Sequence, residues 1–369
     1  MYLNQKELDN ILSNEDLTKN SHHAIGIVVQ KIKEALHTKY KTIPEVDYGS
    51  PIVSLEDNYY KLGYDKSDIT LTSRYTRYVS ENLILRTQVS STVPSLLRGY
   101  RKEKDILYMC PGKVYRRDVR DKTHVGEPHQ LDVWYLTKEK KNRQDLLELV
   151  TLVISVIEKE KKQKIVWRHT ETSHNYTDDG IEVEIYYKGK WLEILECGLI
   201  SQQLLDRHNL SEYGGLALGM GLDRLVMIMK EIEDIRVLLS SDERIKKQLS
   251  NLSRYKEVSN QPSIKRDMSV AVEKDTSIED ITEKIISLEI IHKIESISLI
   301  GETTYEDLPS IAIERLGLLN HQKNMLIRVV IRDIAHTLSS EEANRIYEQI
   351  YELIHEGLKG YKITDKKVE

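Results

Sequence analysis

Apolar residues recur along the chain with the periods of both helices and strands. Apolar residues at three- and four-residue spacing predict amphipathic helices over residues 25–36 and 143–160. Alternating or strongly β-prone segments predict strands over residues 129–137, 165–170, 181–189 and 190–198. Helices and strands therefore share the first two thirds of the chain, as in a mixed α/β domain.

Two glycine-containing segments interrupt this pattern. Residues 105–118 alternate around Pro111-Gly112, and this pattern predicts a hairpin with its turn at the Pro-Gly pair. Residues 214–221 are rich in glycine and precede a predicted helix.

The pattern restarts at Lys265 with the order strand, helix, strand, strand, helix and a short last strand near residues 361–364. This order predicts a ferredoxin-like module. Serine and threonine residues predict the starts of its two helices, at Thr276 or Ser277 and at Ser339 or Ser340. The polar segment SNQPS precedes the module. We therefore expect a polar arm over residues 1–20, a first domain over 21–262 and a second over 263–369.

Composition excludes several classes of protein. No run of about 18 apolar residues occurs, so no transmembrane helix is expected. The polar, acidic start is unlike a signal or transit peptide. The two cysteines, Cys110 and Cys197, exclude a disulfide framework and a four-cysteine zinc site, so a cytoplasmic location is expected. The net charge of −5 gives no sign of nucleic-acid binding.

One residue count departs from ordinary usage. The chain has 21 tyrosines and 0 phenylalanines, whereas even usage of the twenty residue types would give about 18 phenylalanines. Chance does not account for this difference. Either synthesis of the chain is favoured when phenylalanine is scarce or accompanied by a toxic analogue, or the sequence was engineered to lack phenylalanine.

Three ordered segments resemble the signature motifs of class II aminoacyl-tRNA synthetases, in particular the phenylalanine–tRNA ligase family. They are LRTQVS (85–90), VYRRDVRDKTHVGEPHQLD (114–132) and GLALGMGLDRL (215–225). The C-terminal module, with RDMSVAV and HTLSSEEAN, is similar to the ferredoxin-fold anticodon-binding domain of the single-chain form of this family. The resemblance implies an α/β (α+β) protein, in which an antiparallel-sheet catalytic domain over residues 21–262 precedes a ferredoxin-like βαββαβ domain.

The resemblance also implies an ATP site. Arg116 matches the arginine that clamps the α-phosphate and the substrate carboxylate, and a planar guanidinium suits this role because it donates two parallel hydrogen bonds. Arg224 matches the arginine that lies over the adenine and reaches the γ-phosphate. The other implied ATP-site residues are Asp118, His124, Gly219 and Gly221. Glu193 matches an acidic residue that helps to hold Mg²⁺ with the phosphates. A surface arginine and a loop histidine without a role are the alternatives for Arg116 and His124.

The implied amino-acid site lies on a neighbouring part of the sheet. Gln130 and Asp132, two residues apart on one strand face, match the pair that holds the substrate ammonium group. Ser90 matches a serine beside them, and Ala217 matches the small residue at the floor of the side-chain pocket. Asp132 is shorter than the usual glutamate.

The walls of the implied side-chain pocket differ from the family pattern. His174-Asn175-Tyr176 stands where the family carries Phe-Pro-Phe, so two aromatic walls have become His174 and Tyr176. Two explanations remain open. The pocket is built for a different or more polar amino acid, or the exclusion of phenylalanine from the whole chain also removed it here, with Tyr176 standing in as an aromatic wall.

The function implied is ATP-dependent ligation of phenylalanine to its tRNA through an aminoacyl-adenylate, with Mg²⁺ as cofactor. The alternatives are a relative that activates a different or modified amino acid or loads a carrier other than tRNA, and a non-catalytic tRNA-binding relative. Residues 263–369 carry 14 basic and 20 acidic side chains. Such a module is more acidic than a phosphate-binding surface usually is.

Overall fold

The computed structural model describes residues 2–100, 104–117, 120–258 and 262–358. The chain divides into two compact units. The first comprises Met1–Arg116, Gly126–Leu238 and Glu243–Lys256, and the second comprises Arg117–Val125, Leu239–Asp242 and Glu257–Glu369.

The first unit combines helices with one large and one small sheet. Its helices are α1 (Gln5–Ser13), α2 (Ala24–Tyr40), α3 (Leu55–Asn58), α4 (Val93–Gly99), α5 (Arg143–Lys161), α6 (Gln202–Arg207), α7 (Leu222–Lys230) and α8 (Glu243–Leu249). Its strands are β1 (Glu45–Val46), β2 (Ile52–Ser54), β3 (Leu83–Leu85), β4 (Ile106–Lys113), β5 (His129–Thr137), β6 (Trp167–Glu171), β7 (Thr177–Tyr187), β8 (Lys190–Ile200) and β9 (Gly214–Gly221). The predicted helices within α2 and α5 are confirmed.

The large sheet has seven strands in the order β1-β4-β5-β9-β8-β7-β6. The short strand β1 pairs with β4 in parallel, and the other neighbours are antiparallel. β2 and β3 form a separate two-stranded sheet. The antiparallel sheet expected from the sequence is therefore present, and its three central strands are β5, β9 and β8.

The hairpin predicted at Pro111-Gly112 is wrong, because β4 continues straight through this pair. Gly112 is required there for another reason: a Cβ atom on it would lie 1.9 Å from Nη2 of Arg86. The buried Arg86 guanidinium donates to the carbonyl oxygens of Lys113 at 2.8 Å and Tyr48 at 2.6 Å. The Pro-Gly pair thus makes room for a buried arginine instead of turning the chain.

The segment predicted as a polar arm contains the helix α1. Asn4 caps this helix and exchanges hydrogen bonds with Glu7 in a capping box. Ile11, on its inner face, packs in one apolar cluster with Leu85 and Tyr115. This cluster connects the N-terminal helix to the strand that precedes the first signature motif.

The second unit has the strand and helix order expected of a ferredoxin-like module, with one additional helix between its second and third strands. Its elements are β10 (Ile264–Glu273), α9 (Ile278–Ile286), β11 (Ile294–Thr304), α10 (Ser310–Leu316), β12 (Gln322–Ile331) and α11 (Ser340–Ile354). The strands pair antiparallel in the order β10-β12-β11. Their apolar side chains share a buried cluster with residues of α9 and α11, including Ile281 and Ile350. The predicted strand near residues 361–364 lies outside the described residues.

Both predicted helix starts in this unit are confirmed. Ser277 accepts from the backbone of Asp280, and Ser339 accepts from the backbone of Glu342. In each case the carboxylate reaches back to the capping residue, which completes a capping box. Within the described parts of the chain, no helix is both long and apolar enough to cross a membrane.

Candidate active site

The register of the large sheet aligns polar side chains in a row across four strands. Asp132 on β5 pairs with Gly219 on β9, Gly219 pairs with Glu196 on β8, and Glu196 pairs with Glu182 on β7. Paired residues project on the same sheet face. Because Gly219 has no side chain, the row has a gap between the carboxylates of Asp132 and Glu196.

This gap is the floor of a cleft of about 460 Å³. Most residues predicted for the site line it: Ser90, Arg116, Gln130, Asp132, His174, Tyr176, Glu193, Ala217, Gly219 and Gly221. The sequence thus identified the cleft from segments that are far apart in the chain. Asp118, predicted for the ATP site, lies outside the described residues.

Asp132 is the buried carboxylate of the cleft. It accepts a hydrogen bond from the Ser90 hydroxyl at 2.6 Å and one from Nε1 of Trp134 at 3.3 Å. Burial raises the pKa of Asp132 to about 6, and these two hydrogen bonds and Arg86 oppose the rise. Its remaining acceptor capacity faces the cleft, so this end of the cleft suits a small cationic group such as an ammonium.

Ser90 and Gln130 are held beside this carboxylate by short local structures. Ser90 lies in the 3₁₀ turn Val89–Thr92, which begins with the last two residues of the first signature motif. The side-chain oxygen of Gln130 accepts a hydrogen bond from the backbone N–H of Val89 at 3.3 Å. The turn and β5 are therefore joined at the point where both contribute to the cleft, and the side-chain nitrogen of Gln130 remains a donor for a ligand.

Arg116 supplies positive charge to the same cleft. Its backbone N–H donates to the carbonyl oxygen of Gly126 at 2.7 Å, and its Nε donates to the carbonyl oxygen of Thr87 at 2.8 Å. The Nε bond to Thr87 restricts the orientation of the guanidinium. No described residue lies within ion-pair distance of its two terminal nitrogens, so the paired donors that bind a carboxylate or phosphate are available.

Arg224 adjoins the cleft through β8 instead of lining it. Its Nη1 donates to the carbonyl oxygen of Glu193 at 3.0 Å and lies 3.7 Å from the Glu193 carboxylate. Asp223, the residue before Arg224, anchors the start of the helix α7 to which both belong. The Asp223 carboxylate accepts from the backbone N–H of His129 at 2.5 Å and contacts Nδ1 of His129 at 3.0 Å. His129 is thus a buried structural residue that connects α7 to β5.

Glu193 could bind a cation, but the described residues around it do not form a complete metal site. Burial is the main cause that raises the pKa of Glu193, and the neighbouring Glu196 carboxylate raises it further. No group of three or more His, Cys, Asp or Glu side chains that could hold a metal occurs among the described residues. This donor set fits Mg²⁺ carried by a phosphate ligand, since Mg²⁺ is commonly bound by one or two carboxylates together with substrate phosphates and water.

His174 and Tyr176 form an aromatic wall of the cleft beside the row of carboxylates. The ring of Tyr176 lies between those of Trp134 and His174, with centroids 5.7 Å and 6.3 Å away. Burial, the Asp132 carboxylate and Tyr64 raise the pKa of Tyr176 above its ordinary value, so its hydroxyl stays protonated. Nδ1 of His174 lies 2.9 Å from the Thr177 hydroxyl, and its Nε2 lies 3.2 Å from the Glu196 carboxylate.

The structure places His124 in the loop grouped with the second unit. It is exposed there, and its Nδ1 lies 2.9 Å from both carboxylate oxygens of Asp121. It does not line the cleft. The role near the phosphates that its motif implies therefore stays a prediction.

Several lining residues were not assigned a role from the sequence, among them Trp134, Glu196 and Tyr64. Trp134 donates to Asp132, and its position two residues later on the same strand was a usable signal. Glu196 faces the cleft from the β8 strand. Tyr64 comes from an irregular segment between α3 and β3, and nothing in the local sequence pattern indicated its position.

Comparison with known families accounts for this architecture. The family described as tRNA synthetases class II core domain (F) matches residues 8–249, and the ferredoxin-fold anticodon binding domain matches residues 259–361. The chain belongs to the class II tRNA synthetases. The cleft of this class II synthetase lies wholly within the matched core, on the antiparallel sheet.

Two curated relatives match almost the whole synthetase. The phenylalanine–tRNA ligase, chloroplastic/mitochondrial, of Arabidopsis thaliana is 26% identical over 354 residues, which cover 93% of this chain and 78% of the relative. The phenylalanine–tRNA ligase, mitochondrial, of Saccharomyces cerevisiae is 24% identical, covering 92% and 87%. A solved structure of the Desulfitobacterium hafniense pyrrolysyl tRNA synthetase PylSc covers 61% of this chain and 76% of its own, with 18% identity and a TM-score of 0.48.

Proposed function

We propose that this protein is an ATP-dependent phenylalanine–tRNA ligase that works through an aminoacyl-adenylate. The observation that carries the proposal is the pairing of opposite charges in one cleft. The buried Asp132 carboxylate can hold an ammonium group, and the terminal nitrogens of Arg116, which pair with no described residue, can hold the carboxylate of the same amino acid against a phosphate.

The proposed reaction begins with attack of the amino-acid carboxylate on the α-phosphate of ATP, which releases pyrophosphate. Negative charge accumulates on the α-phosphate, and the Arg116 guanidinium would supply the fixed positive charge that stabilises it. Arg224 would hold the distal part of the nucleotide, with Gly219 and Gly221 exposing backbone. Asp118 and His124 are proposed as further ATP-site residues on their motif alone.

Positioning and charge are sufficient for this chemistry, so no protein nucleophile is needed. Both thiols support this assignment, since burial raises the pKa of Cys110 and raises that of Cys197 to about 12. Mg²⁺ bound to the phosphates would neutralise part of their charge, and Glu193 is the described side chain best placed to hold it.

The second substrate is proposed to be tRNA, bound in part by residues 263–369. The names of the curated relatives and the ferredoxin-fold match support this assignment. The domain limits 21–262 and 263–369 and the cytoplasmic location stay predictions. Both curated relatives named above are organellar proteins, so an organellar location is the alternative to test.

Amino-acid-dependent exchange of pyrophosphate into ATP tests the proposal. We expect exchange with phenylalanine or a close analogue, without tRNA, followed by transfer to tRNA. Exchange without tRNA charging would favour a carrier other than tRNA, and absence of exchange with every amino acid would favour a non-catalytic relative. The Arg116→Ala variant is the negative control.

A further inference from the structure

The cleft has a second polar end, opposite Asp132. Glu196 lies two strands from Asp132 in the same row, with only Gly219 between them. Neighbouring strands are about 4.8 Å apart, so the two Cα atoms are roughly 9.6 Å apart. An amino acid whose ammonium group is bound by Asp132 can therefore extend its side chain over Gly219 towards Glu196.

At this second end, His174 presents a buried nitrogen that has no hydrogen-bond partner among the described residues. Its Nδ1 is fixed by the Thr177 hydroxyl. Its Nε2 is buried and lies 3.2 Å from the Glu196 carboxylate, but not in hydrogen-bonding alignment. Buried polar atoms of this kind are normally satisfied, and leaving one unpaired has a free-energy cost. A ligand group that bonds to both His174 and Glu196 would remove this cost.

The surroundings of this pair indicate the shape of the ligand. The His174 ring stacks on Tyr176 at an interplanar angle of 26°. Tyr176 in turn packs against a buried cluster that contains Trp134 and Ala217. A flat ring on the substrate would therefore lie along an aromatic wall and meet the polar pair at its edge. The fit is to an aromatic side chain with a hydrogen-bonding group on its ring.

We propose that His174 and Glu196 form a polar subsite that selects a phenylalanine-like amino acid bearing a hydroxyl, amino or ring-nitrogen group over phenylalanine itself. The inference rests on the proposed ligase activity and refines its amino-acid substrate, so that phenylalanine becomes the poorer of two related substrates. Sites built to hydrogen-bond a substrate group reject analogues that lack it, by up to about 10⁴-fold. The pair therefore determines specificity and takes no part in the reaction at the phosphate.

The experiment is pyrophosphate exchange by the full-length protein with a panel of amino acids. The panel contains phenylalanine, tyrosine, 3-hydroxyphenylalanine, 4-aminophenylalanine and the three pyridylalanines. We expect at least one polar-ring amino acid to exceed phenylalanine in kcat/KM by about tenfold or more. A ratio below about tenfold for every polar analogue would overturn the subsite. This comparison needs no variant, so it does not depend on how a substitution folds.

Variants then assign the selectivity to the pair. His174→Phe and Glu196→Gln should each lower the ratio of polar analogue to phenylalanine by about tenfold or more, mainly through KM. The matched controls are His169→Phe, an exposed histidine on β6, and Glu184→Gln, which pairs with Arg168 outside the cleft. An unchanged ratio in folded His174→Phe protein would overturn the assignment.

The outcomes also separate this inference from the proposed function. Exchange with phenylalanine in preference to all polar analogues would leave the ligase activity standing and overturn the subsite alone. Exchange with no amino acid would overturn the ligase activity, and the subsite with it.

Discussion

The Ser90 hydroxyl donates a 2.6 Å hydrogen bond to the Asp132 carboxylate, and this bond joins the first signature motif to the second. The hydrogen bond from Ser90 favours the ionised form of the buried Asp132 carboxylate and so partly opposes the effect of burial on its pKa. Ser90 and Asp132 together would orient the ammonium group of an amino acid, so the protonation state of Asp132 governs amino-acid binding.

Asp132 should make amino-acid binding dependent on pH. Since burial raises its pKa to about 6 in the free protein, the carboxylate is protonated below that pH and no longer attracts an ammonium group. We expect kcat/KM for the amino acid in pyrophosphate exchange to fall as the pH drops through about 6. In Asp132→Asn, kcat/KM should be low at every pH and lack this step.

Stability should show the opposite pH dependence, which provides a check on the same group. The folded state holds the Asp132 proton up to about pH 6, whereas the ordinary pKa is 3.8. The free energy of unfolding should therefore decrease as the pH rises from about 4 to about 6, by roughly 2 kcal/mol. Urea unfolding across this range should show the decrease in the wild type, and a similar decrease in Asp132→Asn would assign it to another group.

Arg116 and Arg224 should be essential for adenylate formation. We expect Arg116→Ala or Arg224→Ala to lose about 3 kcal/mol or more of transition-state stabilisation, which is at least ~100-fold in pyrophosphate exchange. The urea midpoint should stay near that of the wild type. Arg117→Ala is the matched control, because the adjacent Arg117 pairs with Asp280 of the second unit. Near-normal exchange by Arg116→Ala would remove its assigned role.

Removing the ferredoxin-like module should separate the two half-reactions. A chain that ends at Pro262 should retain pyrophosphate exchange but charge tRNA poorly. Charging by the full-length protein should also decline steeply with salt, because phosphate contacts release counterions. Equal charging by the two chains would show that the module serves another purpose.

Lys230 should be a main determinant of stability at the end of α7. Its buried ammonium donates to the carbonyl oxygens of Gln248, Asn251 and Ser253 at 2.9, 2.9 and 2.7 Å. Lys230→Met would leave these carbonyls without their donor, so we expect a loss of about 3 kcal/mol in urea unfolding. The exposed Lys246→Met substitution, on α8, should cost under about 0.5 kcal/mol.

The absence of phenylalanine predicts how the chain is synthesised. Under phenylalanine starvation, a chain that needs no phenylalanyl-tRNA should continue to accumulate while ordinary proteins stall. The matched control carries Tyr2→Phe and Tyr186→Phe, both at exposed positions. Pulse labelling in cells limited for phenylalanine should show synthesis of the wild type exceeding that of this control. Equal rates would remove the proposed advantage.

The sequence predicted the fold well where each signal was local. The period of apolar residues identified α2 and α5, and the serines at 277 and 339 identified two helix starts. Motif order brought Ser90, Arg116 and Asp132 together although long segments separate them. These signals work because helix periodicity, capping and backbone geometry depend on neighbouring residues.

The errors arose where distant residues decide the structure. The Pro111-Gly112 pair continues a strand because the Arg86 side chain occupies the space beside Gly112, and a local pattern contains no information about that contact. Tyr64 reaches the cleft from an irregular segment for the same reason. The gap over Gly219 likewise depends on the register of three strands, which the sequence of one strand does not specify.

Trp134 gives this protein an intrinsic optical reporter. It is one of 3 tryptophans in the chain, and its indole N–H donates to the carboxylate proposed to receive the substrate ammonium group. The other two, Trp167 and Trp191, do not line the cleft. Indole emission responds to nearby charge, so docking of an amino acid on Asp132 should shift the fluorescence of Trp134. Ligand affinity can thus be titrated in unlabelled protein without ATP, tRNA or turnover.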